Sequence, residues 1–259
     1  DLHSFPTRRS SDLEPDGINT VLPDVYRSCV FGVDLDPIAV EVARAGCWLD
    51  IGGRAPFTFM DDNITVGDPL AGDLPSALTK RLHEPIPLHI IGNPPYREHA
   101  KGAAPWIEAR RKPGTEELLP RPSMDEFRAG ARTDHKLSNL WTFFWRWALW
   151  QALEARDQPG AVAFITPSAY LSSDSFAGMR AHLRRVTDEG WIVDLSPEGH
   201  QPPVPTRIFP GVKTQVAIGI FTSRGAGHPE LPALIKFMKI EGKREEKFAK
   251  LRELVGVRP

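Results

Sequence analysis

The sequence predicts an α/β fold with a parallel or mostly parallel sheet, arranged as one large domain or two small ones. Two observations predict it: short apolar runs are separated by helix-length segments, and three of these runs end at the polar residues Asp34, Asp68 and Asn93. The 259 residues are 41% hydrophobic and 25% charged, which excludes a largely disordered chain. With a formal net charge of -1, any contact with nucleic acid must use local patches.

The first half of the chain is predicted to contain three strands. Residues 29–34 and 64–68 are short apolar runs that end in an acid, and residues 88–92 lead directly into the loop 93–96. Because ligands bind beyond the carboxyl ends of parallel strands, these three ends predict one site. A helix is predicted from Pro37 to Leu49, since proline at a helix start loses no hydrogen bond.

The second half is predicted to begin with an insertion and to continue as helices and strands. Residues 97–136 are rich in Pro, Arg and Glu without a clear period, which predicts a long insertion or lid. An apolar helix is predicted from Ser138, the expected N-cap, to about Arg156, with its tryptophans in the core. The remaining predicted elements are strands at 161–166, 191–194 and 215–221 and helices at 175–189 and 237–259.

The sequence also restricts the environment of the protein. No apolar run reaches the roughly 18 residues that a membrane span requires, so we expect no membrane partner. Cys29 and Cys47 form neither a disulfide framework nor a zinc-binding spacing, which favours the reducing cytoplasm. Residues 1–13 are polar and aperiodic and resemble a translated adapter scar. We expect them to be a non-native leader, with a disordered native tail as the alternative.

Several motifs carry a family resemblance. Asn93-Pro94-Pro95-Tyr96 after an apolar strand resembles the catalytic motif of S-adenosylmethionine-dependent amino methyltransferases, above all the N6-adenine DNA methyltransferases. Residues 31–40 and 66–68 are similar to the cofactor motifs of that family, and their position before the catalytic motif resembles the gamma-type order. Residues 160–171 and 208–218 resemble two later motifs, and residues 139–148 resemble large restriction–modification and phage-defence methyltransferases.

The resemblance covers about residues 25–223 and implies a Rossmann-like methyltransferase fold with S-adenosylmethionine as cofactor. It implies that Asp34 and Leu35 bind the ribose end of the cofactor, and that Asp68 and Pro69 bind its adenine end. Alternatively, Asp34 could cap a helix, but Asp36 directly before Pro37 is the better cap candidate. Asp68 before Pro69 could simply be a turn residue.

The resemblance also implies how the catalytic loop acts. The side-chain oxygen of Asn93 and the carbonyl of Pro94 would accept both N–H bonds of the target amine, and the two prolines would stiffen the loop. Tyr96 would stack on a base flipped out of duplex DNA. Phe209 would hold the other side of that base, with ordinary core packing as its alternative, and Lys213 lies in the same substrate-side motif. No metal is required.

The sequence departs from the family at both ends. No Gly-rich first motif precedes Val30, so we expect a central strand and the pocket for the methionine end of the cofactor to be missing. We therefore expect a slice of a longer protein: a catalytic domain over 14–224 and a linker or the start of a target-recognition region over 225–259. A nuclease, helicase or target-recognition domain would be fused or associated, and the slice alone would be inactive.

Three functions stay open at this point. The expected one is adenine-specific methylation of double-stranded DNA. The same loop also serves methyltransferases that modify a glutamine amide in release factors or a guanine in ribosomal RNA. A third interpretation is an inactive DNA-binding or scaffolding subunit. The basic run Arg110-Arg111-Lys112 contacts phosphates in the DNA interpretations and is otherwise a solvated face.

Overall fold

A computed structural model describes residues 15–109, 121–130, 135–200, 202, 205–225 and 231–255. The chain divides into two compact units, residues 1–84 and residues 85–259. The leader predicted over residues 1–13 and the basic run at 110–112 lie outside the described residues.

The first unit contains a two-stranded parallel sheet. Its strands are β1 (Gly32–Asp34) and β2 (Ile64–Val66), with Gly32 opposite Ile64. Both strands are shorter than predicted, because helix α1 continues to Cys29 and the chain turns at Gly67. The helices of this unit are α1 (Pro15–Cys29), α2 (Pro37–Asp50) and α3 (Ser76–Arg81).

The core of the first unit lies between α2 and β2. Val40, Met60 and Ile64 are buried there, and Tyr26 of α1 packs against them. The side-chain amide of Asn63, also buried, donates to the carbonyl oxygens of Arg27 and Val30. One asparagine therefore joins the end of α1 to the start of β2.

The second unit contains a five-stranded sheet in the order β3-β4-β6-β5-β7. Neighbours β3 and β4 are parallel, as are β5 and β7, whereas β6 is antiparallel to both β4 and β5. The predicted α/β fold with a mostly parallel sheet is confirmed, with β6 as the antiparallel member. The strands are β3 (Leu88–Gly92), β4 (Gly160–Pro167), β5 (Glu189–Asp194), β6 (Val216–Ser223) and β7 (Leu234–Lys239).

One correction concerns the end of the chain. The helix predicted from residue 237 is wrong at its start, because residues 234–239 pair with β5 as β7 and the helix α8 runs over Arg244–Val255. The edge of β5 offers backbone partners that no local pattern reveals. Both elements belong to the second unit; a target-recognition region beginning within 225–259 stays a prediction.

The predicted tryptophan-rich helix forms as α6 (Leu140–Leu149), followed by a π-helical turn over Trp150–Glu154. Trp141 and Trp145 are buried, as predicted. Ser138 is not the N-cap; Asn139 holds that position, and its side chain accepts a hydrogen bond from the His99 backbone instead of capping the helix. The helix predicted over 175–189 is α7 (Ala177–Val186), shortened by β5.

A buried network attaches the insertion to α6 and α7. Arg146, 2% exposed, donates through Nε to the carbonyl of Ser123 (2.8 Å) and through Nη1 and Nη2 to Glu154 (2.6 and 2.9 Å). Nε2 of His182 lies 3.0 Å from Oε1 of Glu154. The described parts of the insertion form the short helices α4 (Pro105–Glu108) and α5 (Asp125–Arg128).

The charges of this network are set by burial and by each other. Burial by itself would raise the pKa of Glu154, but the hydrogen bond with His182 and the charge of Arg146 outweigh it and lower that pKa to about 2. Burial lowers the pKa of His182, although Glu154 opposes this. Glu154 is therefore ionised at neutral pH, with Arg146 as its permanent cation.

In each sheet, within the described residues, one edge of a strand has no partner strand. There β1 pairs with β2 alone and β3 with β4 alone. Ile91 of β3 is 82% exposed, and Ile38, Val42 and Leu49 form an exposed apolar stripe along α2. Among the described helices, none is both long and apolar enough to cross a membrane.

Candidate active site

The first unit brings the two predicted cofactor acids to one end of its sheet. Asp34 is the last residue of β1, and its carbonyl oxygen accepts from the backbone N–H of Gly67 (3.0 Å), directly before Asp68. The Asp34 side chain is exposed, and its Oδ1 accepts from the backbone N–H of Asp36 (2.8 Å). The carboxyl ends of the two parallel strands thus carry both acids.

The alternatives for these acids can be separated in part. Asp36 caps α2 by accepting from the backbone N–H of Ile38 (2.8 Å), so the predicted cap is confirmed. Asp68 also caps a turn, since its Oδ1 accepts from Leu70 N–H (2.9 Å) at the start of the 3-10 turn 69–71. The turn role of Asp68 is therefore present, whereas Asp34 has no helix to cap. Leu35 is 67% exposed.

The second unit places the predicted catalytic loop directly after β3. Asn93 and Pro95 are exposed, Pro94 is buried, and Tyr96 is half-buried. The loop therefore lies beyond the carboxyl end of a parallel strand, with the Asn93 side chain open to solvent. Pro94 is buried between exposed neighbours and restricts the backbone of the loop. Its own carbonyl is one of the two acceptors expected to contact the target amine.

Tyr96 is held by the neighbouring strand. Its phenol oxygen donates to the carbonyl of Ile165 in β4 at 3.4 Å, a long hydrogen bond. Burial raises the pKa of Tyr96 to about 12, so the phenol remains protonated at neutral pH. The ring is fixed at one edge and partly open to solvent.

The two predicted base-binding aromatics pack against one apolar cluster. This cluster, called here the Leu195 cluster, contains the buried side chains of Leu195, Ile208, Val216 and Ile240. Tyr96 and Phe209 are both partly buried and both pack against it. The structure therefore brings the catalytic loop and Phe209 to the same core. Lys213 lies nearby in the chain and is exposed.

Helix α8 contributes residues that sequence reasoning did not assign to the site. Phe248 and Leu251 pack against the Leu195 cluster, and Arg244 donates through Nε to the carbonyl of Ile208 (2.8 Å). The spacing of Phe248 and Leu251 indicates one apolar helix face, but nothing local shows what that face contacts. Within the described ranges, no group of three His, Cys, Asp or Glu side chains could hold a metal ion.

Comparison with known proteins identifies the fold. No family model and no curated protein match the chain. Among solved structures, the cryo-EM structure of a DrdV–DNA complex matches 90% of this chain and 24% of its own, at 20% identity and a TM-score of 0.65. The chain shares its fold with part of that protein.

Two further structures agree. A nuclease-deletion mutant of the Type ISP restriction-modification enzyme LlaGI, in complex with a DNA substrate mimic, matches 90% of this chain and 23% of its own, at 18% identity and a TM-score of 0.65. The ATP-dependent Type ISP restriction-modification enzyme LlaBIII, bound to DNA, matches 91% of this chain and 20% of its own, at 16% identity and a TM-score of 0.58. The chain thus spans about a quarter or less of the length of each of these three structures.

Proposed function

We propose that this chain is the methyl-transfer part of a site-specific adenine DNA methyltransferase in a restriction–modification or phage-defence system. It would transfer a methyl group from S-adenosylmethionine to N6 of an adenine flipped out of double-stranded DNA. The observation that carries the proposal is the Asn93–Tyr96 loop at the carboxyl end of β3, held with Phe209 against one apolar cluster. The fold shared with restriction–modification enzymes solved with DNA supports it.

The cofactor end of the proposal rests on the first unit. Asp34, exposed at the end of β1, would accept hydrogen bonds from the ribose hydroxyls, with Leu35 beside it. Asp68 and Pro69 would bind the adenine end. These residues fit the adenosine part of the cofactor; no segment of the sequence reads as the Gly-rich turn that would receive its methionine part. S-adenosylmethionine, when bound, supplies an already activated methyl group.

Asn93 and Pro94 would prepare the nucleophile. The exocyclic amine of adenine is a poor nucleophile because its lone pair is delocalised into the ring. Two acceptors that take both N–H bonds draw the nitrogen towards a tetrahedral shape and direct its lone pair at the methyl group. The two adjacent prolines, with Pro94 buried, would stiffen the loop before the substrate arrives, where preorganised groups are most effective.

Tyr96 and Phe209 would hold the flipped base. An adenine inside a duplex cannot reach the catalytic loop, so it must leave the base stack of the DNA and stack on a protein side chain instead. A partly exposed tyrosine ring fixed by the Ile165 carbonyl offers a flat surface for stacking, and Phe209 lies on the same cluster. Lys213 is exposed and would contact the DNA backbone. Such an enzyme acts in the cytoplasm, and both cysteines of this chain are free.

The test uses the complete protein that carries this chain. Transfer of tritium from methyl-labelled S-adenosylmethionine is measured with unmethylated double-stranded DNA, with a release factor and with ribosomal RNA as acceptors. We expect label in DNA alone, at N6 of adenine. Asn93→Ala should abolish transfer while leaving cofactor binding nearly unchanged.

Each other outcome has a definite meaning. Label in the release factor alone, or in RNA alone, would mean that this acceptor and not DNA is the substrate. No label in any acceptor, with intact cofactor binding, favours the inactive DNA-binding subunit. Turnover of Asn93→Ala within about tenfold of wild type, or roughly 1.4 kcal/mol of barrier, removes Asn93 from the catalytic role.

A further inference from the structure

A lysine of α8 is completely buried. The surface of Lys247 is 0% exposed, although lysine is almost never fully buried without partners. Its Nζ donates to the carbonyl oxygens of Leu195 (2.7 Å) and Thr206 (2.9 Å) and to Oε2 of Glu198 (3.0 Å). All three ammonium protons are therefore used. Because removing a charge from water is costly, only such a complete set of acceptors makes this position tolerable.

The acceptors of Lys247 belong to the connection that carries Phe209. This connection leaves the sheet after β5 and returns to it at β6. Leu195 is its first residue, and Thr206 lies shortly before Phe209. One ammonium group on α8 thus joins the first residue of the connection to Thr206 in its middle, and closes that part of the connection as a loop.

Other contacts of α8 act in the same place. Oε1 of Glu198 accepts from the backbone N–H of Gly242 (3.1 Å), just before α8. Burial by itself would raise the pKa of Glu198, but the hydrogen bond from Lys247 outweighs it and lowers that pKa. Glu198 is therefore ionised at neutral pH. Arg244 binds the carbonyl of Ile208, the residue directly before Phe209.

We propose that Lys247 is a positioning residue that fixes the connection between β5 and β6 and thereby holds Phe209 at the Leu195 cluster beside the catalytic loop. This inference rests on the proposed function, in which Phe209 contacts the flipped base. Lys247 touches neither the DNA nor the cofactor; it acts through the loop that it closes. Without it, Phe209 loses its fixed position, and a flipped base is held less well.

The first test measures the loop itself and does not depend on methylation. Hydrogen exchange is followed by mass spectrometry in the complete protein, comparing wild type, Lys247→Met and Lys250→Met. Lys250 is the matched control, because it is an exposed lysine on the same helix. Lys247→Met should increase exchange over residues 205–216, and Lys250→Met should not. Unchanged exchange in Lys247→Met overturns the proposal.

The second test measures transfer with tritiated S-adenosylmethionine and unmethylated plasmid DNA. Lys247→Met should lower kcat/KM for DNA by about tenfold, within the usual range for coupled residues, without changing the dissociation constant of S-adenosylmethionine. In the Phe209→Ala background the same substitution should have almost no further effect, because the two residues act through one contact. Fully additive losses would show a general structural role and contradict the proposal.

The two proposals fail in different ways. A wild-type protein that methylates no DNA refutes the proposed function, while the exchange result still decides whether Lys247 fixes the loop. If Lys247→Met does not fold, Glu198→Gln replaces it, since this change keeps the side-chain shape and removes only the charge. Glu198→Gln should change exchange and kcat/KM in the same direction as Lys247→Met, but by less. If neither exchange nor kcat/KM changes, the proposal is overturned.

Discussion

The proposed stacking of a flipped base on Tyr96 can be tested by substitution. Replacing it with alanine removes the proposed stacking surface, which is worth about 1–3 kcal/mol per base. That loss corresponds to roughly a 5- to 150-fold decrease in kcat/KM for DNA. Tyr96→Phe keeps the ring and removes only the 3.4 Å hydrogen bond to the Ile165 carbonyl. At that length the bond contributes at most about 1 kcal/mol, so the decrease should stay within about fivefold.

The assay is methyl transfer to DNA by the complete protein, measured for Tyr96→Ala, Tyr96→Phe and Tyr96→Trp from pH 7 to pH 10. Because the pKa of Tyr96 is raised to about 12, the phenol stays protonated over this range. Wild type and Tyr96→Phe should therefore have pH profiles of the same shape. Tyr26→Phe removes a phenol hydroxyl on the first unit and should leave kcat/KM unchanged.

The order of the losses is what can refute the reasoning. Tyr96→Ala should be worst, with Phe and Trp close to wild type. Equal losses for Ala and Phe would mean that the hydroxyl has the catalytic role and that no base stacks on the ring. A step in the wild-type profile below pH 10 that disappears in Tyr96→Phe would lead to the same conclusion.

Three further predictions follow from the acids, the buried network and the open strand edges. Asp34→Ala should weaken S-adenosylmethionine binding by about 10- to 150-fold, the range for a lost charged hydrogen bond. Asp36→Ala should instead lower stability by about 1 kcal/mol through its lost helix cap and leave binding unchanged. Calorimetric titration measures the binding and thermal melting the stability, and equal binding losses for the two variants would contradict the assignment of Asp34. Glu154→Gln should lower the free energy of unfolding by about 3 kcal/mol, the value of a pKa lowered from about 4.5 to about 2. Because the pKa of Glu154 is lower in the folded state, this contribution to stability is present above pH 4.5 and is lost as the pH falls towards 2. Denaturant unfolding of wild type and Glu154→Gln at pH 7 and pH 3 measures it. An equal loss of unfolding free energy in Glu154→Gln at both pH values would be inconsistent with an ionic role. Residues 1–259 expressed alone should be poorly soluble, since Ile91 and the unpaired edge of β3 are exposed. They should bind S-adenosylmethionine weakly or not at all, since no segment of the sequence resembles the Gly-rich turn for the methionine end. Micromolar binding by a monodisperse sample would show a complete pocket.

Local patterns in the sequence predicted most strands of the sheet. The strand over 88–92 was predicted to the residue, because an apolar run bounded by turn residues leaves little choice of limits. The prediction for 237–259 was wrong at its start, because the charged pattern there suits a helix and only the free edge of β5 makes residues 234–239 a strand. Ser138 was a reasonable cap on local grounds, but its carbonyl accepts from Ala100 and the helix begins after Asn139.

The candidate site divides in the same way. Its residue types and their order along the chain, from Asp34 through Asn93 to Phe209, are properties of the sequence. Apolar runs define the strands that end at Asp34 and directly before Asn93, and Phe209 belongs to the motif over 208–218. That Tyr96 and Phe209 share one cluster was decided by the tertiary structure, since the residues that join them are far apart in the chain. The buried charges were decided there too. Lys247 reads locally as one more lysine of a charged helix, and only the packing of α8 on the Leu195 cluster removes it from water and gives it three acceptors.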